Sequence, residues 1–314
     1  MRDDISLIDT HMNCSKCRRE AIIYQRYSGM HLCQEHFTES VESRVKREIR
    51  KHGWVKHGDT IGVALSGGKD STSLLHFLTN TFGDRPDITI LAITIDEGIA
   101  GYRNMSDIKE IAERYGVPWH TTSFAEEYGI TLDGIVVGQG DDRRSCSFCG
   151  VLRRRVLNRL ARETGCTKIA FGFNLDDEAQ SVMMNVLRGD TERLTMPQRD
   201  NPGMIPRIRP FAIIPEREIA LYAHLHVGPL ADQGCPYAHN ALRGDVRRLL
   251  NEYTWLHPAT KHALRSLGED LQGRGAGLAA PPNICPKCGE PAFGTCRTCA
   301  ILSEVKQVTG NEAP

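Results

Sequence analysis

A glycine loop set between a strand and a helix constrains this chain more than any other stretch. Thr60-Ile61-Gly62-Val63-Ala64-Leu65 is short, apolar and partly β-branched, as a buried strand is. Ser73-Leu74-Leu75-His76-Phe77-Leu78 repeats its apolar residues at helical spacing. Between them lies Ser66-Gly67-Gly68-Lys69-Asp70-Ser71. Its two glycines let the backbone turn tightly and point successive N–H groups at one spot. The following helix N-terminus adds partial positive charge, and Lys69, Ser66 and Ser71 add donors, so a phosphate cradle is expected here. The spacing is not that of a Walker A loop, GxxxxGK[ST].

Around this loop, strand-like and helix-like runs alternate. Ile88 to Ile95 is an uninterrupted apolar run, the pattern of a parallel strand buried on both faces. Asn104 to Tyr115 reads as a helix, Trp119 to Ser123 as a strand, Lys168 to Phe173 as a strand, and Ala179 to Leu187 as a helix. The alternation predicts an α/β fold with a doubly wound, mostly parallel sheet. In such sheets ligands bind beyond the carboxyl ends of the strands. Asp96, at the end of one strand, Gly172, at the end of another, and the pair Asp176 and Asp177 are therefore candidates for the nucleotide site. Two carboxylates there suit Mg²⁺ on ATP phosphates or proton transfer, or else an acidic helix cap.

The cysteines define the rest. The chain has 314 residues and 11 cysteines, with no signal-peptide pattern at Met1-Arg2-Asp3-Asp4 and no long apolar run, so a soluble cytoplasmic protein using thiols for metal or redox chemistry is expected. Cys14-x-x-Cys17 and Cys33-x-x-His36 suit one tetrahedral Zn²⁺; Cys285-x-x-Cys288 and Cys296-x-x-Cys299 suit a second. Both are closed four-ligand sets, which points to structural work. Cys166 stands alone and reads as a small buried apolar residue. Cys146, Cys149 and Cys235 are one thiolate short of a closed site. Three cysteines suit a [4Fe–4S] cluster with one open iron, while a Cys-x-x-Cys pair also suits a redox disulfide or a persulfide.

Charge is informative only locally. Lys+Arg and Asp+Glu are both 39, yet Arg143 to Arg162 holds seven arginines and no acidic residue, a composition suited to phosphate backbones or to a solvated basic helix. Thr38 to about Lys51 reads as a helix capped by Thr38, with Arg44, Lys46, Arg47, Arg50 and Lys51 on one face. Met204 to Ile214 reads as an irregular connection with a short strand. Pro215 as first residue to His226, Leu242 to Tyr253 and Ala259 to Leu267 read as helices, and Arg243, Arg247 and Arg248 are candidates to extend an RNA surface. Gly273 to Pro282 reads as a linker and Gln307 to Pro314 as a frayed end. The expected divisions are an N-terminal zinc finger over 1–40, a catalytic domain over 41–272, and a linker with a C-terminal zinc finger over 273–314.

The SGGKDS loop resembles that of the PP-loop ATP pyrophosphatases, which implies cleavage between the α- and β-phosphates and transfer of AMP to a substrate oxygen. Taken with Cys146-x-x-Cys149-Gly150, Asn174-x-Asp176-Asp177, Gly234-Cys235-Pro236-Tyr237 and the terminal knuckles, the chain resembles the TtuA/TtcA family of tRNA thiolation enzymes over nearly its whole length. It is more similar to the TtuA branch, with its archaeal and eukaryotic wobble-uridine relatives. The resemblance implies ATP and Mg²⁺ at Ser66, Gly67, Gly68, Lys69, Asp70, Ser71, Asp96, Gly172, Asp176 and Asp177. It implies a [4Fe–4S] cluster on Cys146, Cys149 and Cys235, with Asp70 and Asp177 also in the chemistry. The substrate implied is a tRNA uridine, at the wobble position or in the T-loop, converted to 2-thiouridine. The sulfur donor implied is sulfide or the thiocarboxylate of a ubiquitin-like carrier, and the assembly a homodimer. Some relatives carry lysine where this chain has Arg153, and arginine is a poor proton carrier, so Arg153 is assigned electrostatic stabilisation. Two other readings fit parts of the pattern: a PP-loop amide- or lysidine-forming synthetase with structural metals only, and a non-catalytic zinc-finger RNA-binding protein.

Overall fold

The computed structural model describes residues 12–196, 203–230, 234–240, 242–274, 283–292 and 294–309. The N-terminal segment is a small hairpin, β1 (Ile23–Gln25) against β2 (Met30–Leu32), running directly into α1 (Gln34–His52). Cys33 rather than Thr38 is the N-cap of α1, so Cys33 and His36 are carried on its first turn. No side chain caps this helix start. Its buried stripe is Phe37, Val41, Val45 and Ile49, worth about 1.5–3 kcal/mol each when fully withdrawn from water. Gly53, with φ of +58°, ends it in the left-handed conformation.

The central sheet contains β3 (Thr60–Ala64), β4 (Thr89–Asp96), β5 (Trp119–Ser123), β6 (Lys168–Ala170) and β7 (Arg207–Ile208) in the order β5-β4-β3-β6-β7, and every neighbouring pair is parallel. The elements between them are α2 (Lys69–Phe82), α3 (Met105–Arg114), α4 (Phe124–Tyr128), α5 (Leu132–Gln139), α6 (Ser145–Glu163), α7 (Leu175–Leu187) and α8 (Thr191–Thr195). One apolar layer packs α1, α2, α3 and α9 (Glu216–His226) on one face of the sheet. The other packs α4, α5, α6 and part of α12 (Arg297–Thr309) on the opposite face. The doubly wound parallel architecture is therefore observed. Strand order reverses between β3 and β6, which makes that crevice the natural ligand site.

Beyond β7 come α9, a 3-10 turn (Pro236–Asn240), α10 (Leu242–Leu256), α11 (Thr260–Arg274) and the short β8 (Asn283–Ile284) and β9 (Pro291–Ala292) ahead of α12. Helices α10 and α11 run past the expected Tyr253 and Leu267, and both pack on α7, where Val246, Leu250 and Gly268 are buried. Pro215 is the N-cap of α9 rather than its first residue. The Gly-rich stretch 275–282 and the terminal 310–314 lie outside the described residues. Cys166 is buried, its Sγ so close to Gly62 that a Cβ there would come within 2.7 Å.

Candidate active site and metal centres

Strand β3 leads into the glycine loop, and side-chain hydroxyls fix the loop from inside. The Ser66 N–H donates to Ser71 Oγ at 3.1 Å, and Ser71 and Thr72 hydroxyls donate to the Gly68 carbonyl at 3.1 and 3.0 Å. Gly67 has φ of +79°, which an L side chain adopts only with strain. The Lys69 ammonium lies 3.0 Å from both Asp70 Oδ2 and Glu216 Oε1. Burial opposes its charge, but the two carboxylates outweigh burial and hold its pKa above the ordinary lysine value.

The partner strand β6 feeds the other side of the crevice. A Cβ on Gly172 would stand 2.8 Å from the Asp70 carbonyl carbon and oxygen and 2.9 Å from the Ser71 nitrogen, so only glycine lets these backbones approach. Asn174 caps α7 in a reciprocal box with Asp177, which starts the helix four residues before the expected Ala179. The same Asn174 donates from Nδ2 to Asp70 Oδ1 at 3.1 Å, tying α7 to the loop helix.

A cavity of about 780 Å³ opens over this crevice. Ser66, Asp70, Ser71, Gly172 and Asp177 line one end, and Arg103, Gly150, Arg153, Arg154, Arg193, Arg207 and Arg209 line the rest. Burial raises the Asp177 carboxyl to about 6, only partly offset by the Asn174 N–H and Arg243. Of the expected nucleotide-site residues, Gly67, Gly68, Lys69, Asp96 and Asp176 do not line the cavity, and neither do Cys146, Cys149 and Cys235. Asp96 turns back on its own loop, accepting the Gly98 N–H at 2.8 Å. Asp176 is buried on the far side of α7, where it accepts the Glu216 N–H at 2.8 Å and pairs with Lys261. Adjacent carboxylates on a helix point about 100° apart, so only one of Asp176 and Asp177 faces the crevice.

The cysteine-bearing helix α6 borders the same cavity. Cys146 is exposed on its first turn, with Sγ donating to the Tyr237 carbonyl at 3.4 Å. Burial pushes the Cys149 thiol up to about 11, and burial likewise raises Cys235. Cys235 is an electrostatic neighbour of both Cys149 and Cys146. Tyr237 anchors the turn after Cys235 by donating to Asp133 Oδ1 at 2.6 Å. Arg153 reaches Glu97 Oε1 at 3.1 Å, and Arg103 reaches Glu97 Oε2 at 3.0 Å. Glu97, only 1% exposed, is the residue that sequence reasoning passed over in favour of its neighbour Asp96. Nothing local distinguishes the two. The signal is the pair of arginines that the fold brings to Glu97 from elsewhere.

The basic stretch on α6 is narrower in effect than its composition. Arg143 pairs with Asp141, Arg144 with Glu304, Arg159 with Glu127, Arg162 with Glu290, and Arg155 lies over the Tyr128 ring. On α1, Arg44 is turned inward to Glu218 and Tyr27, while Lys46 and Lys51 reach Glu42 and Glu269. Arg243 bonds Gln180 and Ser181 of α7, Arg247 reaches Glu216 and Arg248 reaches Asp245. Most arginines expected to meet RNA therefore have internal partners.

The terminal sets differ from the central one. Among the described residues, Cys14, Cys17, Cys33 and His36 converge within 4.8 Å, as do Cys285, Cys288, Cys296 and Cys299. The sulfur edges Cys17–Cys33, Cys285–Cys299 and Cys288–Cys296 are each 3.8 Å. A tetrahedral ion with metal–sulfur bonds of about 2.3 Å requires sulfur edges of about 3.8 Å. Both sets therefore fit a single closed ion. Cys146, Cys149 and Cys235 do not converge in this way.

Residues 13–38 match the family described as 2-thiouridine synthetase TtuA, N-terminal LIM domain, and residues 37–250 match the PP-loop domain family. The tRNA 2-thiolation protein NcsA of Haloferax volcanii is 37% identical over 95% of this chain and all of that protein. The chain belongs to the PP-loop tRNA 2-thiolation family. Another of these thiolation proteins, cytoplasmic tRNA 2-thiolation protein 1 of Drosophila melanogaster, is 34% identical over 93% of this chain and 88% of its own length. A solved thiolation structure, the U34-tRNA thiolase NcsA from Methanococcus maripaludis with its [4Fe-4S] cluster, superposes with a TM-score of 0.81. It is 30% identical and covers 95% of this chain and 97% of that one.

Proposed function

We propose that this chain uses ATP to activate the C2 oxygen of the wobble uridine of tRNA and replaces that oxygen with sulfur, giving 2-thiouridine. The observation that carries the reading is one cavity bounded by the glycine loop at one end and by the helix of Cys146 and Cys149 at the other. The close relatives named for tRNA 2-thiolation support it.

Ser66 to Ser71 would hold the ATP phosphates through backbone N–H groups and the start of α2. Asp70 and Asp177 both reach the cavity and are oxygen ligands of the kind Mg²⁺ takes. The uridine O2 attacks the α-phosphorus, pyrophosphate leaves, and the O2–C2 bond becomes a bond to an AMP leaving group. Sulfur then forms the new bond at C2 as AMP departs with the oxygen. Two easier displacements thus replace one hard one. Arg153, held by Glu97 and adjacent to Cys149, keeps a fixed positive charge beside the step in which negative charge develops.

Cys146, Cys149 and Cys235 fit a cluster better than a single ion, because a four-iron cube holds its thiolates farther apart than one tetrahedral metal does. When bound, the cluster supplies an iron without a protein ligand, at which a sulfur donor, sulfide or a carrier thiocarboxylate, can be held. Cys149 and Cys235, with thiols raised by burial, would need that metal to exist as thiolates at neutral pH. The two terminal sets would each hold a structural Zn²⁺. A homodimer in the cytoplasm is the proposed working form, and among the described residues no helix is long and apolar enough to cross a membrane.

The test is anaerobic protein with reconstituted cluster, given tRNA, ATP and sulfide. One 2-thiouridine at the wobble position per AMP and pyrophosphate formed is expected, read by nucleoside mass spectrometry. Thiolation at the wild-type rate by Cys146→Ala, purified without oxygen and retaining its zinc, would sink the mechanism.

A further inference from the structure

The large cavity is electrically divided. Asp70 and Asp177 stand at the glycine-loop end, where a magnesium-bound nucleotide would need carboxylates. The remaining lining is arginine-rich, and four of those arginines have carboxylate partners: Arg103 and Arg153 share Glu97, Arg209 pairs with Glu178 at 2.7 Å, and Arg193 pairs with Asp190 at 3.2 Å. Arg154 of α6 and Arg207 of β7 are different. Among the described residues neither has a carboxylate partner, and the Arg207 Nε is buried without any hydrogen-bond acceptor.

Two neighbouring guanidinium groups facing one cavity repel each other. Burial and then Arg154 push Arg207 down to about 10. Both remain cationic at neutral pH. Arg154 is exposed and its charge is solvated, whereas the Arg207 Nε is a buried donor with no acceptor, which costs stability that an entering anion would recover. Guanidinium groups suit phosphate oxygens in particular, since their planar donors can bind two at once.

Beside these arginines lies an aromatic wall. Phe171 and Phe173 stack with ring centroids 5.4 Å apart and planes 8° from parallel, Arg207 lies over Phe171 at 5.7 Å, and Phe173 is 44% exposed. Both phenylalanines line the cavity. An exposed aromatic face next to a phosphate-binding pair is the combination by which proteins hold an unstacked RNA base and its backbone together.

We propose that Arg154 and Arg207 clamp a backbone phosphate of the tRNA next to the target uridine, while the Phe171–Phe173 wall takes an unstacked base. The proposal rests on the thiolation reading and deepens it, by separating the RNA end of the cavity from the nucleotide end. Arg297, on α12 of the C-terminal segment, adds charge on the Arg154 side, so the RNA would enter past that segment.

ATP also carries phosphates, and binding measurements on the cluster-bound protein distinguish the two sources. With Arg154→Gln, and separately with Arg207→Gln, the tRNA Kd is expected to rise about tenfold or more, with the slope of log Kd against log salt falling by about 0.7–1. The Kd for ATP with Mg²⁺ should stay within about twofold of wild type. A weakened ATP affinity with an unchanged salt slope for tRNA would overturn the proposal and assign the pair to the nucleotide. An unchanged affinity for both would overturn it as well. Should Arg207→Gln not fold, Arg154→Gln alone decides. Wild-type thiolation measured in parallel separates the two levels. If wild type makes no 2-thiouridine, the reaction assignment falls, whereas a thiolating wild type with an unaffected Arg154→Gln removes only the clamp.

Discussion

The terminal and central cysteine groups use the same side chain for opposite purposes. At each end, four ligands spaced two-by-two along the chain close into a set with 3.8 Å sulfur edges. Local sequence builds those sites, because Cys-x-x-Cys and Cys-x-x-His turns place two ligands together before any long-range contact forms. In the centre, two cysteines on α6 are joined by Cys235 from a turn 86 positions beyond Cys149, and the three do not close around a single point. A closed site can hold a fold together, whereas a site left open can do chemistry. The open one lies beside the large cavity, and the closed ones support the segments that flank it.

The strongest way to break this contrast is Cys149→Ala. Thiolation is expected to fall by about 10³-fold or more, while the metal content of the terminal sets is unchanged and Tm moves by no more than about 4 °C. Loss of zinc, or global unfolding, would make the central group structural like the others. The converse change, Cys17→Ala, should remove one zinc per chain and lower Tm by about 2–4 °C for each kcal/mol lost. Metal analysis and calorimetry check it, and ATP-dependent pyrophosphate release should persist in the folded fraction.

A subtler effect comes from Asp177. Burial raises its carboxyl from 3.8 to about 6. The folded chain keeps a proton that the unfolded chain has released between those values. This group's contribution to stability is therefore complete below pH 3.8 and is lost as pH rises through about 6. Asp177→Asn should flatten the stability profile in that window. The carboxylate form needed for Mg²⁺ appears over the same rise, so wild-type pyrophosphate release should increase between about pH 5 and 7, a limb the variant lacks. The smallest effect is expected from Asp96→Ala, which removes one loop hydrogen bond worth about 1 kcal/mol. ATP affinity should change by less than about fivefold, and a larger loss would return Asp96 to the nucleotide site.

Much of this molecule was legible in the sequence because much of it is local. The Ser66–Ser71 loop, the strand–helix alternation and the two terminal knuckles each depend on residues within a few positions of one another. Even there, the start of α1 at Gln34 and of α7 at Leu175 differed from the hydrophobic period, set by the Cys33 cap in one case and by the Asn174 cap, tied across the fold to Asp70, in the other. Choosing between neighbours was beyond local pattern. Asp176 and Asp177 look alike in a row of letters, yet the helix sends one to Lys261 and the other into the cavity. Asp96 and Glu97 are likewise adjacent, and only the arrival of Arg103 and Arg153 singles out Glu97.

Sequence by itself determined the fold class, the phosphate loop and the closed cysteine sets, because hydrophobic period, glycine geometry and ligand spacing act over short distances. Only the tertiary structure decided which charges cancel. Seven arginines between Arg143 and Arg162 read as one basic surface, but carboxylates remote in sequence pair with Arg144, Arg153, Arg159 and Arg162, while Arg154, with no such partner among the described residues, lines the same cavity as Arg207. Coulomb interactions depend on distance in space, and the chain reveals that distance only once it has folded.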